Sequence, residues 1–148
     1  MSSMIGAKEN NLGRFSVEVE LANDVDLAQA ERGAMPADQV HRERIRGVVD
    51  SGATRLVIPE ALAKRLNLEI SVIVQVRSAD GRTALRPIAR RVHLTYGDRD
   101  SVFNAIVEPG RDSALIGAIV LEDLDLIIDC TNQQLRPRDP KHIISEVE

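Results

Sequence analysis

The chain has 148 residues, of which 43% are hydrophobic and 28% charged, and its formal net charge is −4. These values fit one globular domain with a modest core. Acidic and basic residues are interspersed, which argues against the basic stripe of a nucleic-acid-binding protein, and no apolar run approaches the roughly 20 residues that cross a bilayer. A single cysteine, Cys130, excludes an intrachain disulfide, and the first residues lack the apolar core of a signal peptide. We therefore expect a cytoplasmic protein without membrane or nucleic-acid partners.

The N-terminal part begins with a clear strand pattern. Apolar and polar residues alternate in RFSVEVEL, residues 14–21, which predicts a half-buried β-strand. Residues 22–43 lose this alternation and contain Asn, Asp, Gly and Pro, so we predict a long loop there. Residues 1–13 are expected to form a flexible N-terminus before a single domain over 14–137.

A second short strand runs directly into an aspartate. RIRGVV, residues 44–49, leads into Asp50, and three of the smallest residues follow, Ser51, Gly52 and Ala53. An acid between an apolar run and a tight turn of small residues indicates a carboxylate that is held in place. Taken alone, the motif fits a structural acid that caps a turn through backbone amides at least as well.

The rest of the chain alternates short strands and turns. A strand at residues 55–58 leads into a short helix over 59–68, with proline at its first position. A hairpin follows with strands over 70–76 and 83–88 and with Asp80-Gly81 at its tip, the strongest short hairpin signal in the chain. A second hairpin, with strands over 91–96 and 101–107, is centred on GDRD. About eight or nine short strands and two short helices predict an all-β domain of barrel or sandwich type. A polar tail over 138–148 ends the chain.

A later apolar run ends in glycine and continues into a helix. It is Leu115-Ile116-Gly117, followed by AIVLEDL. Together with the aspartate motif over 48–53, the helix that begins IPEALAKRL and the glycine-tipped hairpin, it occurs in an order that resembles the single-domain, retroviral-type (retropepsin-like) aspartic proteases, their bacterial members in particular. The resemblance covers residues 15 to about 137.

This resemblance implies a closed-barrel, all-β retropepsin fold with one or two short helices and one lobe per chain. It implies that Asp50 is catalytic and that no metal or cofactor is needed. The implied site residues are the active-site loop Ser51, Gly52 and Ala53, the flap residues Ala79, Asp80 and Gly81, and the second loop Leu115, Ile116 and Gly117. The flap, residues 76–83, has a single glycine and three charged residues, whereas retroviral flaps are richer in glycine.

The proposed chemistry needs two carboxylates. Two facing carboxylates that share one proton can activate a water and protonate a peptide carbonyl oxygen. The chain contains one strand that leads into Asp-Ser-Gly. Asp80-Gly81 is not a second copy of this motif, because it lies at a hairpin tip. An active enzyme therefore requires a homodimer, with Asp50 facing Asp50 of a second copy and an extended peptide as substrate. Because Ala53 offers no hydroxyl to the dyad, we expect activity to extend from mildly acidic toward neutral pH.

Two other functions remain open at this point. The same fold could bind extended peptides by strand addition while cleaving them slowly or not at all, or it could serve as a structural β-domain. A serine-hydrolase interpretation of Ser51 is disfavoured, because no Gly-x-Ser-x-Gly motif surrounds it. The histidines His41, His93 and His142 lack metal-ligand spacing.

Overall fold

The computed structural model describes residues 14–139, 141 and 147. The predicted flexible N-terminus, residues 1–13, and most of the predicted tail, 138–148, lie outside this part of the chain. Nine strands and three α-helices are present in the described residues, so the all-β expectation is confirmed. The strands are β1 (Arg14–Asn23), β2 (Arg42–Asp50), β3 (Leu56–Pro59), β4 (Glu69–Arg77), β5 (Thr83–Tyr96), β6 (Arg99–Glu108), β7 (Ala114–Ile116), β8 (Leu126–Asp129) and β9 (Gln134–Pro137). The helices are α1 (Asp24–Glu31), α2 (Glu60–Arg65) and α3 (Ala118–Asp123), with one turn of 3-10 helix at Ala37–Gln39.

Six strands close into a barrel. Their order is β1-β2-β7-β3-β6-β5, and β5 pairs back onto β1. The predicted closed barrel is therefore present. Among the described residues, strand β4 pairs only with β5 and lies at the edge of the sheet, while β8 and β9 form a separate hairpin. Closure leaves β4 as the exposed edge of the large sheet.

An aliphatic core fills the barrel. In β1 the predicted alternation holds, since Phe15, Val19 and Leu21 are buried and Val17 is partly buried against the core, while the polar residues between them face outward. The core continues through β2 and β7, where Val49 and Ile116 pair in register and are both buried. Residues of even number in β2 consequently lie on the outer face, and Asp50 is among them.

The predicted loop over 22–43 is wrong in part. Residues 24–31 form helix α1, whose N-cap Asn23 accepts a hydrogen bond from the backbone N–H of Asp26 at 3.2 Å. The Asn23 amide also donates to the carbonyls of Leu66 and Asn67, at 3.0 and 2.9 Å, behind the end of α2. Helix α1 is stabilised by this cap and by long-range contacts that no local sequence pattern encodes.

The two strands predicted within residues 83–96 are one continuous strand. Strand β5 runs through the whole segment and shifts register between Ala89 and Val92, where Arg91 has a φ of 57°. This irregularity is a β-bulge, which bends the strand. The bend allows one half of β5 to pair with β4 and the other half to pair with β1.

The described helices of this chain do not include one that is long and apolar enough to cross a membrane.

Candidate active site

Asp50 is the last residue of β2 and is held by its own loop. The backbone N–H of Gly52 donates to Asp50 Oδ1 at 2.9 Å, and the N–H of Ala53 donates to the Asp50 carbonyl at 3.1 Å. An added Cβ at residue 52 would lie 3.2 Å from Asp50 Oδ1, so the small residue keeps the loop tight around the carboxylate. The Asp50 side chain is 25% exposed. The carboxylate is thus fixed by backbone and still reachable from outside.

The second loop packs directly against this aspartate loop. The N–H of Ala118 donates to the carbonyl of Ala53 at 2.8 Å, and the N–H of Ile119 donates to the carbonyl of Thr54 at 2.9 Å. A Cβ at Gly117 would lie 2.5 Å from the Arg55 carbonyl oxygen, which no real side chain tolerates. Gly117 is therefore required for the close approach of the two backbones. The structure joins these two predicted loops into one unit.

A short apolar wall lies beside Asp50. Leu115 pairs in register with Val48 on β2 and with Val57 on β3. Cross-strand partners share a face of the sheet, and Val48 shares its face with Asp50 two residues later. All three aliphatic side chains are only half-buried. They form an apolar surface next to the carboxylate.

The predicted flap forms the hairpin between β4 and β5, and among the described residues no hydrogen bond or ion pair joins its tip to the aspartate loop. Its tip is closed by bonds from the N–H of Ser78 to the Arg82 carbonyl, at 2.8 Å, and from the N–H of Gly81 to the Ser78 carbonyl, at 2.9 Å. Gly81 has a φ of 87°, which favours glycine, and the Asp80 carboxylate accepts from the N–H of Arg82 at 3.0 Å. Ala79, Asp80 and Gly81 are exposed, and within residues 14–139 no hydrogen bond or ion pair links them to the loop at 50–55.

One residue at the site was not predicted from the sequence. Arg14 opens β1 and pairs in register with Asp50, and its Nε lies 3.4 Å from Asp50 Oδ2. Arg14 and Asp50 meet only because of the register in which β1 pairs with β2. The alternation of apolar and polar residues predicted the strand β1 but not this register, so it could not predict the contact.

The histidines of the described residues pair with single carboxylates. His41 Nδ1 lies 2.6 Å from Asp26 Oδ2, and His93 Nε2 lies 2.7 Å from Asp100 Oδ2. Burial would raise the pKa of Asp26, but hydrogen bonds from the His41 ring and backbone N–H outweigh burial and lower it. Across the part of the chain that the structure describes, no group of three or more His, Cys, Asp and Glu could hold a metal ion. His142 lies outside that part.

Comparison with known families shows which family the chain belongs to. Residues 38–123, more than half of the chain, match the family described as "gag-polyprotein putative aspartyl protease". The chain belongs to this aspartyl protease family. The match includes the aspartate loop, the flap and the second loop.

A solved retroviral structure has the same fold. The EIAV protease, complexed with the inhibitor HBY-793, superposes with a TM-score of 0.50 at 18% sequence identity. The match covers 75% of this chain and 88% of the EIAV protease chain. No match was found among curated proteins. The predicted retropepsin-like fold and family are thus confirmed.

Proposed function

We propose that the protein is an aspartic endopeptidase that acts as a homodimer, with Asp50 of each copy forming the catalytic dyad. The observation that carries this proposal is the placement of Asp50. Its carboxylate is fixed by the Gly52 amide, belongs to a loop bonded to the second loop, and remains partly exposed beside an apolar wall. A turn-capping acid would not need the second loop or a glycine at residue 117.

The dimer follows from the number of carboxylates. Asp50 is the one aspartate of the described residues that ends a strand and is followed by Ser-Gly. A single carboxylate cannot act as both acid and base on one water in the same step, whereas two that share a proton can. A two-fold axis beside the aspartate loop would supply the second carboxylate.

The neighbouring residues then have specific roles. One carboxylate of the dyad accepts a proton from the attacking water while the other protonates the carbonyl oxygen of the scissile bond. The Gly52 amide holds each carboxylate in orientation, and the Ser51 hydroxyl is available to bond backbone across the two-fold axis. The half-buried side chains Val48, Val57 and Leu115 would contact apolar substrate side chains next to the scissile bond.

The flap would close over an extended peptide. Its hairpin can add backbone hydrogen bonds to a substrate strand. Because no hydrogen bond or ion pair joins the flap tip to the aspartate loop within the described residues, the tip can move toward bound substrate without breaking such a bond.

The proposal is tested by digestion of a diverse peptide mixture from acidic to neutral pH, with cleavage read by mass spectrometry. Asp50→Asn should reduce cleavage at least about a thousandfold, because the amide cannot accept the proton of the water. The matched control is Asp38→Asn, a change at an exposed aspartate of the 3-10 turn. Cleavage that persists in Asp50→Asn, with Asp38→Asn equally active, would disprove the role of Asp50.

A second function is favoured by one observation. In the part of the chain that the structure describes, strand β4 is the edge of the sheet and pairs only with β5, so its outer backbone groups can accept an added peptide strand. If a folded dimer binds peptides from the mixture but cleaves none, the chain is a peptide-binding module on a protease fold.

A further inference from the structure

Three arginines lie together on the Asp50 side of the barrel. Arg14 and Arg46 project from the outer face of β1 and β2, and Arg111 lies in the loop that leads into β7. Arg46 donates to Ser16 Oγ at 3.2 Å, and Arg111 Nε donates to the Ser113 carbonyl at 2.6 Å. These bonds to neutral groups hold the two guanidinium groups in position without neutralising their charge.

The carboxylates near this cluster do not balance it. Arg14 is 3.4 Å from Asp50. In the proposed dyad the two Asp50 carboxylates share one proton, so together they carry a single negative charge. Arg46 is 3.8 Å from Asp112, which is 93% exposed, so this ion pair is weak. Glu108, the other carboxylate that acts on Arg111, is itself paired with Arg86 at 2.9 Å. With that pair included, four arginines face three carboxylates, so the cluster keeps an excess of positive charge, although the chain as a whole has a net charge of −4.

The positive charges of the cluster act on one another. Burial, followed by the charge of Arg14 and more weakly that of Arg46, lowers the pKa of Arg111 against the opposing effect of Asp112 and Glu108. Arg111 remains charged at neutral pH, because an arginine side chain stays protonated at pH values far above 7. A half-buried cation beside other cations is stabilised by an anion that enters the site.

We propose that Arg46 and Arg111 select substrates that carry an aspartate or glutamate a few residues from the scissile bond. This proposal rests on the peptidase function proposed above. Arg46 lies four residues before Asp50 on β2, roughly 13 Å along the strand. An extended peptide covers that distance in three to four residues, so a carboxylate three or four positions from the scissile bond reaches the cluster.

The test uses a series of C-terminally amidated peptides built on one cleaved sequence. Each peptide has a single glutamate, or the matched glutamine, at one of the four positions on either side of the scissile bond. For the wild type, kcat/KM should be about tenfold higher with glutamate than with glutamine at position three or four. The glutamate preference should fall as salt rises, because screening weakens exposed ion pairs.

The variants Arg46→Gln, Arg111→Gln and the double variant should reduce this glutamate-to-glutamine ratio toward one. Because both peptides are cleaved by the same enzyme sample, the ratio of their kcat/KM values does not depend on the fraction of active enzyme. A variant that is merely less stable therefore has the same ratio as the wild type. Arg44→Gln is the matched control, since Arg44 is on the same strand, is farther from Asp50 and is paired with Glu18 at 3.5 Å. A wild-type ratio near one at every position, or an unchanged ratio in the double variant, overturns the proposal.

The same peptides, labelled for fluorescence anisotropy, separate this proposal from the peptidase function. Stronger binding of the glutamate peptide that is lost in the double variant supports the arginine cluster even if no peptide is cleaved. Cleavage of both peptides with equal efficiency supports the peptidase and refutes the selection of acidic side chains.

Discussion

The geometry around Asp50 depends on a few small residues. Gly52 brings its amide to 2.9 Å from the carboxylate, and Gly117 allows the second loop to bond the backbone at Ala53 and Thr54. The first of these was predictable, because Asp-Ser-Gly-Ala after an apolar run indicates a tight turn at a strand end. The exact partners of Gly117 were not predictable, because they lie more than 60 residues earlier in the chain and depend on how β7 packs beside β2. Arg14 was missed for the same reason.

Ala53 is expected to affect the pH range in which the dyad is active. A hydroxyl at residue 53 could donate to the dyad and favour its ionised form, so Ala53→Ser should move the pH profile of kcat/KM toward acid by about half to one unit. Ala34→Ser, at an exposed loop position, is the matched control and should leave the profile in place. An identical profile for Ala53→Ser and the wild type would contradict the role given to Ala53.

Among the elements, α1 was the clearest failure of sequence-based prediction. Its segment is short, lacks the apolar periodicity of an amphipathic helix and contains residues typical of loops. It is stabilised by the Asn23 cap, by bonds from Asn23 to the carbonyls of Leu66 and Asn67, and by the pair of Asp26 with His41. Apart from the local cap, these are tertiary contacts, and they override weak local preference.

The pair of Asp26 and His41 predicts a pH-dependent contribution to stability. The Asp26 side chain is 10% exposed and its pKa is lowered by the hydrogen bonds from His41, so its ionised form stabilises the fold. This stability is present above the unfolded pKa of about 3.9 and is lost as pH falls through the folded value. Asp26→Asn should therefore cost about 1–3 kcal/mol in the free energy of unfolding at pH 7.

The measurement is urea unfolding at fixed protein concentration and several pH values. The difference between wild type and Asp26→Asn should begin to shrink below about pH 4, where the carboxylate of the unfolded chain protonates, and should disappear as pH falls through the lowered pKa of the folded state. Asp24→Asn, in the same first turn of α1, is the control and should have little effect at any pH. A difference that stays constant down to pH 3 would show that ionisation of Asp26 does not stabilise α1.

The close packing at the junction of the aspartate loop with α3 is expected to contribute to stability. Gly117→Ala forces a Cβ to within 2.5 Å of the Arg55 carbonyl and should cost about 3 kcal/mol. Gly33→Ala is the comparison, because Gly33 has a φ of 77° but open space around it, and it should cost about 1 kcal/mol. Equal losses in thermal or urea unfolding would mean that the close packing at Gly117 does not constrain the loop.

At the scale of the whole molecule, the sequence predicts the class of fold better than it predicts how the strands close into a barrel. Alternation and turn residues indicate the strands, and the aspartate and second-loop motifs indicate the family. The pairing of β5 with β4, β6 and β1 depends on the bulge near Arg91, which no alternation pattern reveals. Strand order in a barrel is a property of long-range pairing, so it could be inferred only through the family resemblance.

The measurement that most directly tests the central claim mixes wild type with Asp50→Asn. Equal amounts are unfolded together, refolded and assayed on a cleaved peptide at constant total protein. If one site needs Asp50 from both copies, random pairing leaves about one quarter of the wild-type activity. A parallel mixture with Asp38→Asn should retain full activity. An activity of about one half in the Asp50→Asn mixture would mean that each chain acts alone and would contradict the shared dyad.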